Sequence, residues 1–348
     1  MTKGASGLEK IIKLQQKFVP EAFKLLEKRY SILKVIYYKH PIGRRVLSNE
    51  LQIGERIVRS EINFLKDQGF IKIDALGMTI TNEGKEIIEK LSDVIHELKG
   101  LSELEKNIKE KLNVSDVIIV PGDVKKDTTV LSELGKAASV YIKTCIRNGS
   151  IIALTGGTTI KEVVSNTSKT IIFKDVLIVP ARGGLGRNVE IQANTLVEDF
   201  AKKINANYRF MHVPDNLSDE ATKTLIKEKD VSETIEKVRN ADIIIFGIGR
   251  AEIMAVKRGC SAKEVEDIVH RGAVGEAFGC YFDIDGNVIF SSPIIGIKNS
   301  EIGKIKNVIA VAAGKDKAKA IIAVGKQVGS AVIITDEGAA IEIINLLK

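Results

Sequence analysis

The N-terminal part of the chain carries hydrophobic residues at the spacing of an α-helix. After Pro20, a residue tolerated in a first helical turn, this spacing predicts a helix that runs to about residue 39. His40-Pro41 should end the helix, because proline disfavours helical backbone in the residue before it. The hydrophobic positions that define the pattern are Leu25, Leu26, Leu33, Ile36 and Tyr37.

Residues 42–70 have the pattern of a helix-turn-helix. We predict a short helix near 46–52, a turn through Gly54 and a longer helix near 55–67. Four hydrophobic residues of the longer helix are expected to face inward, namely Ile57, Ile62, Phe64 and Leu65. Its outward positions carry side chains that suit a DNA groove, namely Arg56, Arg59, Ser60 and Asn63.

A small β-hairpin is predicted directly after this segment. Residues 70–81 alternate apolar and polar side chains on either side of Leu76-Gly77. Three helices followed by a hairpin make a winged helix, and the order, the spacing and the basic charge of the segment agree with that fold. We therefore predict DNA binding in preference to a protein-interaction module.

Residues 82–112 carry hydrophobic residues at alternating steps of four and three, which is the pattern of a coiled-coil seam. Gly100 and Glu105 interrupt the seam, so the segment also fits a helix that packs against its own domain. We favour pairing between chains, because dimers that read paired half-sites gain affinity and specificity over a single winged helix. The seam positions are Ile87, Leu91, Val94, Leu98 and Leu101.

The pattern changes beyond residue 113, where apolar, β-branched runs alternate with helical stretches. Such runs are typical of strands buried on both faces, and the alternation predicts an α/β domain with a largely parallel, Rossmann-like sheet. Ligands of such sheets bind at the carboxyl ends of the strands. The predicted strands cover 116–120, 150–155, 175–180, 241–247, 307–313 and 331–335. Helices are predicted, among others, at 129–147, 192–204 and 336–347.

Length and composition favour a two-domain protein. The chain has 348 residues, of which 44% are hydrophobic and 28% charged, as in ordinary globular proteins. No apolar stretch reaches the roughly 18 residues of a membrane span, and the first residues lack a signal-peptide pattern, so we expect a cytoplasmic protein without a membrane partner. We expect a winged-helix DNA-binding domain over 1–85, a helical linker able to mediate dimerisation over 86–113, and the α/β domain over 114–348.

The positive charge is concentrated at the N-terminal end. The net charge is +7, but residues 1–60 alone hold 13 Lys and Arg against 5 Asp and Glu, whereas 61–113 carry −3 and 114–348 carry +2. This excess in the predicted winged helix indicates a polyanion as its partner. A lysine-rich surface that contacts only solvent would give the same count, so the charge supports the pattern without deciding the function.

Metal and nucleotide chemistry are disfavoured by the residues available. The three cysteines lie far apart without a CxxC pair, and the four histidines have no metal-ligand spacing. The GIGRAE segment at 247–252 lacks the third glycine of a dinucleotide fingerprint, and no GxxxxGK[ST] motif occurs. We expect neither a metal nor a cofactor.

Three glycine-rich segments at predicted strand ends suit a sugar phosphate. They are TGGTTIKEV at 155–163, PARGGLG at 180–186 and AAGKDKAKA at 312–320. In the first, helical N–H groups and the hydroxyls of Thr158 and Thr159 can hold an anion. The others bring Arg182, Lys315 and Lys317 to strand ends. Each segment alone also fits a tight turn or a solvated helix start.

These motifs resemble the SorC-type bacterial transcriptional regulators, and the resemblance covers nearly the whole chain. It rests on the winged helix followed by TGGTTI, PARGGLG, QANTLVEDFA, GIG, EAFG and TDEGAA, with PIGRR, FLK and GMT in the DNA-binding half. The similarity is greatest to members that regulate glycolytic operons. It implies a repressor of lower-glycolysis genes, and not an enzyme, which a sugar phosphate, first of all fructose-1,6-bisphosphate, releases from operator DNA.

The resemblance also implies the residues of the effector site. The large domain of the family is similar to sugar-phosphate isomerases and deaminases and is used for sensing, so residues 114–348 would form the sugar-phosphate effector-binding and oligomerisation domain. Phosphate would go to Thr158, Thr159, Arg182 and Lys317, and the sugar hydroxyls to Gln192 and Glu276. Lys257 stands where the most similar members use an arginine for a second phosphate, and Arg250 is a further cation there. The full expected set is Gly157, Thr158, Thr159, Arg182, Gln192, Lys257, Glu276 and Lys317.

The partners implied are operator DNA, the sugar-phosphate effector and further copies of the chain in a homodimer or homotetramer. The residues expected at the DNA are Arg44, Arg45, Arg56, Arg59, Ser60 and Asn63. Two alternatives remain open. One is a sugar-phosphate isomerase or deaminase that uses Glu276 as a base and has a regulatory domain, and the other is a SorC-type regulator of a sugar-uptake operon.

Overall fold

The structure is a computed structural model that describes residues 14–169, 173–185, 188–214, 217 and 219–348. The chain forms two units. The first comprises the described residues through Glu103 together with Val124–Val130, and the second comprises Leu104–Asp123 and Leu131–Lys348. Within the described part of the chain, no helix is both long enough and apolar enough to cross a membrane.

The first unit is the predicted winged helix. Its elements are α1 (Pro20–Lys39), α2 (Arg44–Leu51), α3 (Glu55–Asp67), β1 (Ile71–Asp74), β2 (Gly77–Ile80) and α4 (Asn82–Leu98). The first helix ends where His40-Pro41 was expected to end it, and β1 and β2 pair as an antiparallel hairpin. Ile71 pairs with Ile80 and Asp74 with Gly77, so the turn consists of Ala75 and Leu76.

The inward face of α3 differs by one residue from the prediction. Val58, Ile62 and Leu65 are buried, and Phe64 packs partly buried against the same core, whereas Ile57 is 47% exposed. The buried positions are spaced by four and three residues along one face of the helix, and this spacing leaves Ile57 outside the stripe. The prediction that Ile57 faces inward is therefore wrong.

The predicted linker over 86–113 divides between the two units. The first helix of this segment, α4, packs on α1 through the buried side chains of Tyr30, Ile95 and Leu98. Gly100, at φ +64°, takes the left-handed conformation that glycine favours and separates α4 from α5 (Leu101–Leu112). The division between the units falls after Glu103, and pairing between chains through this segment stays a prediction.

The second unit contains the predicted alternation of strands and helices. Its elements, besides α5 from Leu104 onward, are β3 (Asp116–Val120), α6 (Thr129–Cys145, which belongs to this unit from Leu131 onward), β4 (Ile151–Leu154), α7 (Thr158–Ser165), β5 (Leu177–Pro180), α8 (Ala193–Ile204), β6 (Asn207–Tyr208), α9 (Asp219–Leu225), α10 (Lys229–Arg239), β7 (Ile243–Gly247), β8 (Gly249–Arg250), α11 (Ala251–Lys257), α12 (Ala262–His270), β9 (Gly275–Ala277), β10 (Cys280–Phe282), β11 (Val288–Ser291), α13 (Asn299–Ile302), β12 (Asn307–Val311), α14 (Ala318–Gln327), β13 (Ala331–Asp336) and α15 (Glu337–Leu346). Single 3₁₀ turns lie at Val189–Ile191 and Lys315–Lys317.

A seven-stranded parallel sheet forms the centre of this unit, in the order β3-β13-β12-β7-β4-β5-β6. All six predicted strands belong to it, and β6 was not predicted. The chain runs outward from β4 through β5 to β6, and then crosses to β7 on the other side of β4. The loops after β4 and β7 therefore leave in opposite directions and open a crevice, which is where ligands of such sheets bind.

A second, antiparallel sheet in the order β11-β10-β9-β8 lies between β7 and β12 in the sequence. It was not predicted, because its strands have only two to four residues and show no long alternating pattern. With α11 and α12 it encloses a small core that includes Ala251, Ile268 and Tyr281.

Candidate ligand cavity and DNA-binding surface

A cavity of about 440 Å³ opens at the carboxyl ends of β4, β5, β7 and β12. This is the crevice that the change of direction between β4 and β7 creates, and its volume falls within the range of small-molecule sites. All eight expected effector residues line it, together with Arg250. They are Gly157, Thr158, Thr159, Arg182, Gln192, Lys257, Glu276 and Lys317. Lys315 does not line the cavity and is exposed.

The loop after β4 leads into the start of α7 at the wall of the cavity. Gly157 precedes the helix with φ +125°, a backbone conformation that residues other than glycine rarely adopt. At Gly156, a Cβ atom would lie 2.5 Å from the carbonyl oxygen of Ile191, so only glycine fits there. The first turn of α7, with Thr158 and Thr159, has N–H groups without helical acceptors, and such groups suit a phosphate.

A buried carboxylate of the cavity wall, that of Glu276, lies close to two arginines, of which Arg182 also lines the cavity and Arg258 lies behind the wall. Oε1 of Glu276 accepts a hydrogen bond from Nη2 of Arg258 at 2.9 Å and lies 3.6 Å from Nη1 of Arg182. The three side chains are only 3%, 4% and 9% exposed, respectively. Arg258 was not predicted as a site residue. It follows α11 at a point where the sequence alone gives no sign of its partner on β9.

The hairpin turn between β9 and β10 holds this carboxylate from the other side. Because Ala277 pairs with Cys280, the turn consists of Phe278 and Gly279, at φ +52° and +76°. The N–H of Gly279 donates to Oε1 of Glu276 at 2.8 Å. A non-glycine residue in the left-handed region costs about 1 kcal/mol, and such strain occurs frequently at binding sites.

Two aromatic rings in the cavity wall were also missed by the sequence analysis. Phe246 on β7 and Phe278 in the turn lie with ring centroids 4.5 Å apart, and both line the cavity. Each is buried. They give the site an apolar surface beside its charged groups, as small-molecule sites usually have.

The carboxamide of Gln192 is bound to the loop that follows β5. Its Nε2 donates to the carbonyl oxygen of Leu185 at 2.9 Å, and its Oε1 accepts from the N–H of Leu185 at 3.1 Å. A Cβ atom at Gly183, in the same loop, would lie 2.6 Å from the carbonyl oxygen of Val213, so only glycine fits at this position. Gln192 therefore fixes the loop that carries Arg182, and its expected contact with a sugar hydroxyl stays a prediction.

The loop after β12 brings Lys317 to the cavity. Gly314, at φ +104°, donates its N–H to Oδ1 of Asp336 at 2.9 Å, and the 3₁₀ turn Lys315–Lys317 follows. Asp336 is fully buried at the end of β13 and also accepts from the N–H of Ala339. The buried carboxylate thus holds the loop against the start of α15.

Two further cations lie on β8 and α11. Arg250 pairs with Glu252 through a hydrogen bond and with Oδ2 of Asp316 at 3.2 Å. Lys257 is the last residue of α11, and its side chain is exposed. Of these two cations, Arg250 already has carboxylate partners, so Lys257 is the better placed of the two to receive an anion.

The lining of the cavity carries more positive than negative charge. Its cationic side chains are those of Arg182, Arg250, Lys257 and Lys317, and its carboxylates are those of Glu276 and Asp316. Low-dielectric surroundings strengthen the attraction of such an excess for an anion. The arrangement therefore suits a small, negatively charged ligand that also has apolar and hydroxyl surface.

The phenol of Tyr281 lies next to Glu276 in the register of β9 and β10. Burial raises the pKa of Tyr281, and the negative charge of Glu276 raises that pKa further. The hydroxyl is therefore neutral throughout the physiological range of pH and is a hydrogen-bonding group only.

The winged helix presents its expected DNA-binding residues on the surface. Arg56, Arg59, Ser60 and Asn63 recur along one exposed face of α3, and Arg44 and Arg45 are exposed at the start of α2. The opposite face of α3 is buried through Val58, Ile62 and Leu65. This division between the two faces is what a helix inserted into a groove requires, and the individual DNA contacts stay predictions.

A buried carboxylate fixes α3 against α1. Glu61 accepts from Nζ of Lys28 at 2.6 Å and from Nε of Arg29 at 2.8 Å. Burial raises the pKa of Glu61, but hydrogen bonds and charge attraction from Lys28 and Arg29 lower that pKa by more, so Glu61 is ionised. The guanidinium of Arg29 also lies 3.5 Å from the centre of the Phe64 ring.

Comparison with known proteins agrees with this division into two parts. Residues 25–95 match the family described as "CggR N-terminal DNA binding domain", and residues 96–345 match the family described as "Putative sugar-binding domain". The second match alone covers more than two thirds of the chain.

Relatives of known name match almost end to end. The chain is 41% identical to the central glycolytic genes regulator of Priestia megaterium over 338 residues, which cover 97% of this chain and 99% of that protein. It is 40% identical to the protein of the same name from Bacillus subtilis over 333 residues, which cover 96% and 98%.

A solved structure of a SorC family transcriptional regulator from Enterococcus faecalis superimposes with a TM-score of 0.65 at 36% identity. It covers 70% of this chain and 99% of that one. The family matches, the near full-length relatives and this structure agree with one another, and the chain belongs to the SorC family of sugar-binding transcriptional regulators.

Proposed function

We propose that this regulator represses an operon of glycolytic genes and that a sugar phosphate, in the first place fructose-1,6-bisphosphate, releases it from its operator. The names of the two most similar relatives reported above support the choice of target genes. The proposed effector enters the cavity of the second unit. The proposed operator contacts lie on α2 and α3 of the first.

The observation that carries the proposal is the convergence of Thr158, Thr159, Arg182 and Lys317 on one cavity at the ends of parallel strands. A helix start with two hydroxyls and a planar guanidinium are the groups that bind phosphate oxygens in proteins. Lys257 supplies a further cation on a separate element for a second phosphate. A bisphosphate matches this set better than a neutral sugar.

Release from DNA requires that the effector bind one state of the regulator more tightly than the other. In the proposed mechanism, a homodimer or homotetramer holds two or more winged helices at the spacing of the operator half-sites. Effector binding shifts the assembly toward an arrangement with lower operator affinity. By linkage, operator DNA must then weaken effector binding by the same factor.

The test uses the full-length protein and DNA from upstream of the operon that contains its gene. Fluorescence anisotropy at fixed salt should show specific binding that fructose-1,6-bisphosphate weakens at least tenfold and that fructose-6-phosphate or ribose-5-phosphate weakens less. The salt concentration must be kept constant, because phosphate contacts make DNA affinity strongly dependent on it. Unchanged DNA binding with every sugar phosphate would refute the proposed effector class.

The same samples discriminate the other functions. Turnover of fructose-6-phosphate, glucosamine-6-phosphate or ribose-5-phosphate, followed by chromatography of the sugars, would replace the sensor with an isomerase or deaminase. Release by a different phosphorylated sugar together with binding upstream of transport genes would instead assign the protein to a sugar-uptake operon.

A further inference from the structure

The two oxygens of the Glu276 carboxylate have different surroundings. Oε1 accepts from Arg258 at 2.9 Å and from the N–H of Gly279 at 2.8 Å. Oε2 points toward Gly249, a residue of the cavity wall, where it lies 3.5 Å from the position that a Cβ would occupy. One oxygen is thus held by the protein, and the other faces the wall that a ligand would touch.

Arg258 acts on this carboxylate from outside the cavity. It is the residue that ends α11, its backbone N–H donates to the carbonyl oxygens of Met254 and Ala255, and its side chain is 4% exposed. It is absent from the described lining of the cavity. Its guanidinium is packed against the Phe278–Gly279 turn, 3.7 Å from the Cβ position of Gly279. Helix end, hairpin turn and carboxylate are therefore joined through this one side chain.

The distances show which arginine holds Glu276. Arg258 is within hydrogen-bond range of Oε1, whereas Nη1 of Arg182 is 3.6 Å away, beyond a good hydrogen bond. A buried carboxylate deprived of Arg258 would attract Arg182 more closely, since arginine and carboxylate readily form bidentate pairs.

We propose that Arg258 is a positioning residue of the effector site, which directs Oε2 of Glu276 toward a ligand hydroxyl. The inference rests on the proposed function, because it assumes that a sugar phosphate is the ligand. It assigns the orientation of the hydroxyl-binding carboxylate to a side chain that does not line the cavity. Arg258→Met and Glu276→Gln should therefore affect the same interaction.

A double-mutant cycle tests this assignment in the full-length protein. Calorimetric titration with fructose-1,6-bisphosphate should give at least a tenfold loss of affinity for Arg258→Met and for Glu276→Gln, in line with the loss of a hydrogen bond to a charged group. The double variant should bind no more weakly than the weaker single variant, because both changes remove one shared interaction. Arg258→Lys, which keeps a charged donor, should recover part of the loss.

Arg271→Met is the matched control, since Arg271 lies on the same small subdomain with its side chain 49% exposed, and it should bind like the wild type. If the single losses multiply in the double variant, or if Arg258→Met binds with unchanged affinity, the assignment is wrong. If Arg258→Met fails to fold, Arg258→Lys takes its place in the cycle with Glu276→Gln, and losses that multiply in that double variant would again show that the assignment is wrong. A wild type that binds no sugar phosphate overturns the proposed function together with this inference, whereas a wild type that binds and an additive cycle overturn the inference alone.

Discussion

Nζ of Lys34 lies 2.8 Å from Oδ2 of Asp127, and the lysine side chain is only 5% exposed. Both residues belong to the first unit, although the chain enters the segment Val124–Val130 from the second unit and returns to it afterwards. The same carboxylate accepts from the N–H and the hydroxyl of Thr129, at 2.9 Å and 2.6 Å, where α6 begins. An ion pair thus connects the middle of α1 to the segment Val124–Val130 of the same unit.

This pair predicts acid sensitivity of the first unit. Burial raises the pKa of Asp127, but the charge of Lys34 and the hydrogen bonds from Lys34 and Thr129 lower that pKa by more, to below its ordinary value of 3.8. The folded state therefore holds the proton less tightly than the unfolded state. The stabilisation is complete above about pH 4 and is lost as the pH falls through the lowered pKa.

Asp127→Asn should remove this dependence and cost about 3 kcal/mol of unfolding free energy at pH 7, because it leaves the Lys34 ammonium buried without that carboxylate. Hydrogen exchange of the α1 amides measures the effect within the first unit. Glu86→Gln, in an exposed pair with Lys90, is the control and should change stability by less than about 1 kcal/mol. Equal effects of the two substitutions would contradict the role given to the buried pair.

Arg59→Ala should weaken specific operator binding about 10- to 100-fold, the range expected for a lost contact with a base. Affinity for fructose-1,6-bisphosphate should stay unchanged, since Arg59 lies on α3 of the first unit. Lys106→Ala, an exposed lysine of α5 in the second unit, serves as the control for loss of one positive charge. Intact operator binding by Arg59→Ala, measured by anisotropy, would mean that α3 is not the recognition helix.

Gly156→Ala should abolish effector binding with a modest loss of stability. The added methyl group would lie 2.5 Å from the carbonyl oxygen of Ile191 and 3.1 Å from the N–H nitrogen of Ala193, so the loop before α7 must shift. Such overpacking costs about 1–3 kcal/mol. Calorimetry with fructose-1,6-bisphosphate and a thermal melt distinguish loss of the site from loss of the fold. Gly303→Ala, where nothing lies within 4 Å of the new Cβ, should behave as wild type in both.

Lys257→Met should reduce the affinity for fructose-1,6-bisphosphate about tenfold and should change the affinity for fructose-6-phosphate little, because only the bisphosphate carries a second phosphate that can contact Lys257. Lys257→Arg should preserve or increase the preference, since a guanidinium binds phosphate through two donors. An equal loss of affinity for both ligands in calorimetry would mean that Lys257 does not contact the second phosphate, and Arg250 would become the candidate for that contact.

The position of the glycine-rich loops at one common site could be predicted from the sequence, because the topology of a parallel sheet determines it. In a parallel sheet the carboxyl ends of all strands lie at one edge, so glycine-rich loops after β4, β5 and β12 must meet there. The resemblance to a family supplied Gln192, Lys257 and Glu276, which the strand pattern alone does not indicate. These residues were identified by motif, and not by the pattern of elements.

The contacts that sequence reasoning missed join elements whose pairing has no local signal. Arg258 at the end of α11 meets Glu276 on β9, eighteen positions later, and Phe246 on β7 meets Phe278 in a turn of the unpredicted sheet. The strands β8 to β11 are too short for a period to be visible. The error at Ile57 lay in the choice between two neighbouring apolar residues, because Val58 and not Ile57 continues the spacing of the buried Ile62 and Leu65.

The segment Val124–Val130 belongs to the first unit although it lies between two parts of the second in the sequence, and this limits how the protein can be divided into fragments. A fragment that stops after Glu103 contains every helix and strand of the winged helix but omits Asp127, so its α1 would lose the carboxylate that pairs with Lys34. A continuous fragment that contains the whole of the second unit would include Asp127, although Asp127 belongs to the first unit. Neither half of this regulator is therefore encoded by a single uninterrupted stretch of its gene.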